Sequence, residues 1–286
     1  MMLHGKMSQV TLKKSDEDVT GRMGIGWIRH SMEHFGLEEM IDRRCPVEGV
    51  SNREISASRK VMAGTLSIIA GAQRIEDLEV MRSDKGLLHG LGWESMISPD
   101  TMREYLKVRR NGGRLRKIND EFSVKMMRES SIQEFTFDND ATYFDSEKDS
   151  AEYSYQLRRQ YSGLLGFIPE LKICNTVDFR PGNISPGTGI LNQLRKAGAQ
   201  AKSAGKRISR FRSDSAAHQD RIFGFCEGES ILYFISLDKN AAVMECIRAL
   251  KAGMWRPVED PDGSLERKTE WAESVYVTNK GSAMRM

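Results

Sequence analysis

The chain has 286 residues, 39% hydrophobic and 29% charged, with a formal net charge of +3. That length supports one large domain or two ordinary ones with a real core, in a chain that folds but is fairly polar. No run of about eighteen apolar residues exists to span a membrane, the start Met1-Met-Leu-His-Gly-Lys-Met7 lacks the apolar centre of a signal peptide, and the four scattered cysteines (Cys45, Cys174, Cys226, Cys246) form no CxxC pair for zinc, so the expectation is a cytoplasmic protein with free thiols.

In chain order, the first 130 residues read as helical. Trp27, Ile28, Met32 and Phe35 recur at helix spacing, as do Val61, Met62, Leu66 and Ile69, and both stripes are expected in the core. Ser98-Pro-Asp100 supplies a helix start, with Ser98 as cap and Pro99 in the first turn. The helix from Thr101 to about Arg110 enters a basic cluster of Arg103, Lys107, Arg109, Arg110, Arg114, Arg116 and Lys117. A short basic helix after a turn fits a helix-turn-helix reader of DNA, and a linker fits the same residues. Asn111-Gly-Gly113 is expected to break the helix near a domain boundary.

From Phe135 the pattern changes to strands. Phe135 to Thr142 alternates, Leu164 to Ile168 continuing to Ile173 reads as a second strand, and Thr176 to Arg180 as a short third. Ser185-Pro186 opens a helix through Ile190, Leu191 and Leu194. Arg207 to Phe211 is a fourth strand ending at Asp214, followed by a helix with Ile222, Phe225 and Cys226 on one face. Ile231 to Leu237 is the clearest strand, Val243, Ile247 and Leu250 mark a further helix, and Glu270 to Val277 reads as one more strand. A second basic cluster comprises Arg195, Lys196, Lys202, Lys206, Arg207, Arg210 and Arg212. Clustered charge is the footprint of a nucleic-acid binder, although a solvated helix face gives the same pattern.

Three strands, helix, strand, helix, strand is an α/β order with an antiparallel start, which fits a ribonuclease H-like mixed sheet with flanking helices behind a helical N-terminal region. The chemistry lies on the first strand. Alternation places Phe135 and Phe137 on one side and Thr136, Asp138 and Asp140 on the other. Carboxylates at fixed spacing are ligands for hard divalent cations, and Asp214 at the end of the fourth strand adds another. The plainer reading makes Asp138 a solvated strand residue and Asp214 a helix N-cap.

Residues 133–277, within an incomplete catalytic domain expected over 133–286, resemble the catalytic region of DDE transposases from bacterial insertion sequences, through Phe137-Asp-Asn-Asp-Ala-Thr142, Tyr161-Ser-Gly-Leu-Leu-Gly-Phe167, Phe179-Arg-Pro-Gly-Asn-Ile-Ser-Pro-Gly187 and Phe211-Arg-Ser-Asp-Ser-Ala216. Residues 1–130 resemble that family's DNA-binding and end-recognition region. The resemblance implies Asp140 and Asp214 as catalytic carboxylates and ligands of two divalent ions, magnesium or its substitute manganese, with Asp138 as at most an assistant. It implies double-stranded DNA at element ends as partner, contacted by Arg103, Lys107, Arg109, Arg110, Arg207, Arg210 and Arg212, and a second copy or a full-length relative as pairing partner. His218 is expected on a helix surface with no catalytic part. The family's third acid, a glutamate on a later helix, has no counterpart: Glu227 and Glu273 lack its context. The expectation is therefore a truncated transposase that binds DNA better than it cuts. The alternatives are a non-catalytic DNA-binding remnant and a ribonuclease H-like nuclease unrelated to transposition.

Overall fold

The computed structural model describes residues 17–46, 55–237, 239–259, 269–277 and 283–285. It divides into two units, Met1–Ile118 and Asn119–Met286.

The first unit is helical. Its elements are α1 (Gly24–His34), α2 (Leu37–Arg44), α3 (Ala57–Ile69), α4 (Leu78–Arg82), α5 (Lys85–Gly90), α6 (Pro99–Lys107) and the start of α7 (Arg109–Glu129). Side-chain oxygens satisfy the amides that open three of these helices: Ser56 accepts from Arg59, Asp84 from Leu87, and Ser98 from Thr101. Ile41, Met62, Leu66, Leu87 and Leu91 are fully buried. Within the two expected stripes, Met62 and Leu66 are buried as read, but Trp27 is 75% exposed and Ile69 is also exposed. The α1 stripe is centred on Ile25 instead, because a helix face is set by what packs on it as well as by spacing.

Asn111-Gly-Gly113 does not break a helix: α7 runs straight through it. The break falls earlier, at Val108, which adopts an extended conformation and separates α6 from α7 alone. Asn111 then bonds the Tyr105 carbonyl at 2.8 Å, so its side chain serves the end of α6. Neither junction of α6 is the three- to four-residue turn of a helix-turn-helix, since residues 91–98 precede it and Val108 alone follows.

In the second unit a six-stranded mixed sheet is formed by β1 (Glu134–Asp145), β2 (Glu152–Tyr153), β3 (Arg159–Ile168), β4 (Ile173–Pro181), β5 (Arg207–Ser213) and β6 (Leu232–Ile235). The spatial order is β2-β3-β1-β5-β6, with β4 also on β3. β1, β3 and β4 are antiparallel neighbours, whereas β5 and β6 run parallel to β1. The crossovers that parallel pairing requires are α8 (Ile190–Ser203) between β4 and β5, and α9 (Asp220–Gly228) between β5 and β6. This is the ribonuclease H-like order. The expected second strand divides at a turn, Pro169–Leu171, because Pro169 cannot donate to a ladder and Lys172 adopts a left-handed conformation, so that Ile173 begins β4. Ser185-Pro186 lies in a turn, and α8 starts only at Ile190 behind Gly189, whose φ of 93° suits glycine.

The core lies on one side of the sheet, where Phe135, Phe137, Leu164, Ile168 and Phe211 meet Leu194 and Ala197 of α8 and Ile222 and Cys226 of α9. Burial pushes the Cys226 thiol up to about 12, so it remains a protonated apolar filler. Beyond β6 come α10 (Ala241–Arg248) and four short strands in two pairs: β7 (Arg256–Pro257) with β8 (Glu270–Trp271), and β9 (Val275–Val277) with β10 (Ala283–Arg285). The single strand expected from Glu270 to Val277 is thus split between two ribbons.

Candidate active site

The parallel pairing of β1 and β5 runs from Glu134↔Arg207 to Asn139↔Ser213 and ends there. The next residue on each strand is a carboxylate, Asp140 on β1 and Asp214 after β5. Neighbouring strands lie about 4.8 Å apart, so the two acids leave the last rung side by side. Both are exposed. One oxygen of Asp140 accepts from the Ala141 amide at 2.7 Å. One oxygen of Asp214 accepts from the Ala216 amide at 3.0 Å and caps the short helical turn Ser215–Ala217. The N-cap role read from the sequence is therefore real and uses only one of the two oxygens.

Asp138 behaves differently. It sits one step back on the same face, opposite Arg212, whose guanidinium grips it in two bonds, one of 2.7 Å from Nε. That carboxylate raises the Arg212 pKa, by the hydrogen bond first and by charge second. One step further back, Arg210 bonds the Thr136 hydroxyl at 3.0 Å and Glu170 at 3.4 Å. Glu170, from the β3–β4 turn, also accepts from the Thr136 hydroxyl at 2.7 Å and from its amide at 3.0 Å. The β1–β5 register shifts between Phe135 and Thr136, so this carboxylate serves a backbone amide at a bulge. Burial pushes the Glu170 pKa up, but bonds from Thr136, the backbone and Arg210 outweigh it, and the net direction is down.

The face thus carries three polar rungs, of which only the outermost, Asp140 and Asp214, has no arginine or lysine on its acids among the described residues. Two adjacent hard oxygen donors fit a divalent cation. Among the described residues no group of three or more His, Cys, Asp or Glu side chains that could hold a metal comes together, so a pair is present and not a triad. Flanking the polar rungs on the same face are exposed apolar side chains, Phe167, Val177 and Phe179 on one side and Leu232 and Phe234 on the other.

The loop Gly182–Gly189 packs on the Asp214 turn. Gln219 Nε2 bridges the Gly187 and Ala216 carbonyls at 3.1 and 2.7 Å, and a Cβ on Gly187 would fall 2.6 Å from the Ala216 oxygen. The glycine of the Pro-Gly187 motif is required by that approach. His218 lies between Phe223 and Tyr276, with ring centroids at 5.4 and 6.0 Å, in a small aromatic cluster and not on a helix surface.

Of the expected DNA contacts, Arg103 pairs with Glu76 and Asp100, Lys107 with Glu104, and Arg207 with Glu134. Arg210 and Arg212 are held by Glu170 and Asp138 as described. Lys107, Arg109 and Arg110 are exposed. Sequence reasoning missed Glu170, Asn139, Ser213 and Gln193, which brace the carboxylate rungs through contacts between residues far apart in the chain.

The ribonuclease H-like sheet thus carries two adjacent carboxylates at the ends of its central parallel strands. The chain belongs to the family "Transposase DDE domain group 1", whose profile matches residues 3–280. Among solved structures, a piggyBac transposase synaptic complex with hairpin DNA is 12% identical, with 94% of this chain and 60% of that one covered and a TM-score of 0.41. A simian T-cell lymphotropic virus intasome in complex with PP2A regulatory subunit B56 gamma is 13% identical, covers 50% of this chain and 49% of that one, and has a TM-score of 0.26. The chain spans about half to three-fifths of those two chains, and at these scores the likeness carries no functional weight. No curated protein matches.

Proposed function

We propose that the protein acts in DNA transposition at the ends of a mobile element, with Asp140 and Asp214 as the ligands of catalytic divalent ions, magnesium or its substitute manganese. The observation that carries this reading is the outermost polar rung: two exposed carboxylates side by side, free of basic partners among the described residues, where Asp138 and Glu170 just behind them are neutralised by arginines. Bound there, divalent ions supply activation of an attacking oxygen and stabilisation of a leaving one at a phosphodiester. The protein's part is positioning. β1 and β5 fix the two acids from a buried sheet, and the Asp138–Arg212 pair keeps a third negative charge from competing for the ion.

In the first unit, Lys107, Arg109 and Arg110 are proposed to contact phosphate, which positions DNA without reading its sequence. The β5 arginines act first as partners of Asp138 and Glu170 and reach DNA only in their remaining donors. Magnesium-dependent cleavage of element-end duplex tests the reading. The expected result is cleavage lost in both Asp140→Ala and Asp214→Ala, with gel-shift affinity in EDTA unchanged. Equal cleavage by the parent and both variants would sink it.

A second reading is favoured by one observation, the carboxylate pair in place of a triad among the described residues. On that reading the chain binds element ends without cutting them, and occupies them or pairs with a full-length transposase. Element-end binding with no cleavage in either magnesium or manganese, unchanged in the double alanine variant, would select it.

A further inference from the structure

The two carboxylates leave the sheet where its ladder stops, so their separation depends on whatever fixes the last rung. That rung is Asn139↔Ser213, the residues immediately before Asp140 and Asp214. We propose that Asn139, Gln193 and Ser213 form a positioning clasp that sets the spacing of Asp140 and Asp214; this rests on reading those two aspartates as metal ligands.

Alternation turns the Asn139 side chain to the opposite face from Asp138 and Asp140, and it is only 2% exposed. Its Nδ2 donates to the Leu165 carbonyl at 2.9 Å and to Gln193 Oε1 at 2.7 Å. Gln193, itself buried on α8, accepts a second bond from the Thr176 hydroxyl at 2.9 Å and donates to the Leu164 carbonyl at 3.0 Å. One amide pair thereby ties α8 to β1, β3 and β4 directly beneath the carboxylates. Gly166 makes room for it: a Cβ there would lie 2.3 Å from Thr176 Oγ1 and 2.4 Å from the Phe137 ring. On the other strand, Ser213 Oγ donates to the Asn139 carbonyl at 2.9 Å. This bond crosses from β5 to β1 at the final rung, so the backbone positions preceding both acids are linked through one carbonyl.

The clasp is a poor choice for stability alone. Asn139 Oδ1 is buried with no hydrogen-bond partner among the described residues, which burdens the folded state. Leucine has the same branched shape and would carry no such orphan. An amide retained there fits a demand for geometry better than one for burial. The groups that orient metal ligands from behind commonly matter about 10–100-fold in metal affinity.

The test compares the parent full-length chain with Ser213→Ala, Ser213→Thr, the double variant Asn139→Leu/Gln193→Met, and Asp140→Ala. Manganese affinity is read by electron paramagnetic resonance, and amide exchange over residues 139–141 and 213–215 is read by mass spectrometry in EDTA. Ser213→Ala and the double variant are expected to bind manganese about tenfold more weakly and to exchange faster in those two segments, while melting cooperatively within a few degrees of the parent. Ser213→Thr, which keeps the hydroxyl, is expected to behave as the parent. Parent-like exchange and parent-like manganese affinity in Ser213→Ala would overturn the clasp, and that single hydroxyl deletion decides the matter even if the double variant fails to fold. Faster exchange in Ser213→Ala, beside a parent whose manganese affinity is indifferent to Asp140→Ala, would instead overturn the metal reading and leave the clasp as a brace of the strand ends.

Discussion

At the scale of single residues, four acids on one sheet face meet three fates. Asp138 is neutralised by Arg212, Glu170 serves a bulged amide and Arg210, and Asp140 stands beside Asp214 with no cationic side chain on either among the described residues. Like charges placed side by side repel, so without metal the outer rung costs stability. Asp140→Ala should therefore raise the melting temperature in EDTA, whereas in Asp214→Ala the lost cap on the Ala216 amide offsets that gain. A fall in Asp140→Ala would mean the carboxylates hold the strand ends together instead. Glu170 gives a pH signature. Its folded pKa is depressed, so its stabilisation is present above the unfolded value of about 4.3 and is lost as pH falls through the folded value. Glu170→Gln should cost about 1–3 kcal/mol near neutrality, and the gap to the parent should close on acidification below about pH 4. Denaturant titrations at several pH values check this, and a gap independent of pH would contradict it.

At the scale of elements, β1, β3, β4, β5 and β6 were legible from alternation or short apolar runs, and Ser98-Pro99 announced α6 correctly, whereas the two-residue strands β2 and β7 left no pattern to read. What failed was punctuation. Gly112 and Gly113 read as a break, yet both are helical in α7 with open space where a Cβ would go. Their neighbours hold the helix despite them, and local signals do not report that. Gly112→Ala and Gly113→Ala should each stabilise the protein, by about 0.5–1 kcal/mol. A loss of stability on either would show a required close approach. The carboxylate pair was legible in residue type and order, because a strand end and a helix start both leave marks in sequence. The contacts behind it were not: Asn139 and Gln193 are 54 residues apart, and Thr136 and Glu170 are 34 apart, with no periodicity linking them. α8 is legible and also vital. Leu194 is fully buried against the sheet, and Leu194→Ala should cost about 2–5 kcal/mol.

At the scale of the whole molecule, a near-neutral chain concentrates its basic residues, and the sheet leaves Leu232 67% and Phe234 58% exposed beside the acidic rungs. An apolar face of this kind invites self-association when nothing covers it. Phe234→Lys should reduce light scattering in concentrated solution with little change in melting, and unchanged scattering would place the association elsewhere. DNA affinity should fall steeply with salt, and Arg109→Ala should lower the slope of log affinity against log salt by about one.

Whether Asp140 and Asp214 hold a divalent ion is read directly from the melting temperature of the parent and of Asp140→Ala and Asp214→Ala across a manganese titration. A ligand held only by the folded state stabilises it, by about 2.7 kcal/mol at a hundred times its dissociation constant. The melting temperature should rise with manganese in the parent and in neither variant. An equal rise in all three would place the ion elsewhere and contradict the assignment of Asp140 and Asp214 as its ligands.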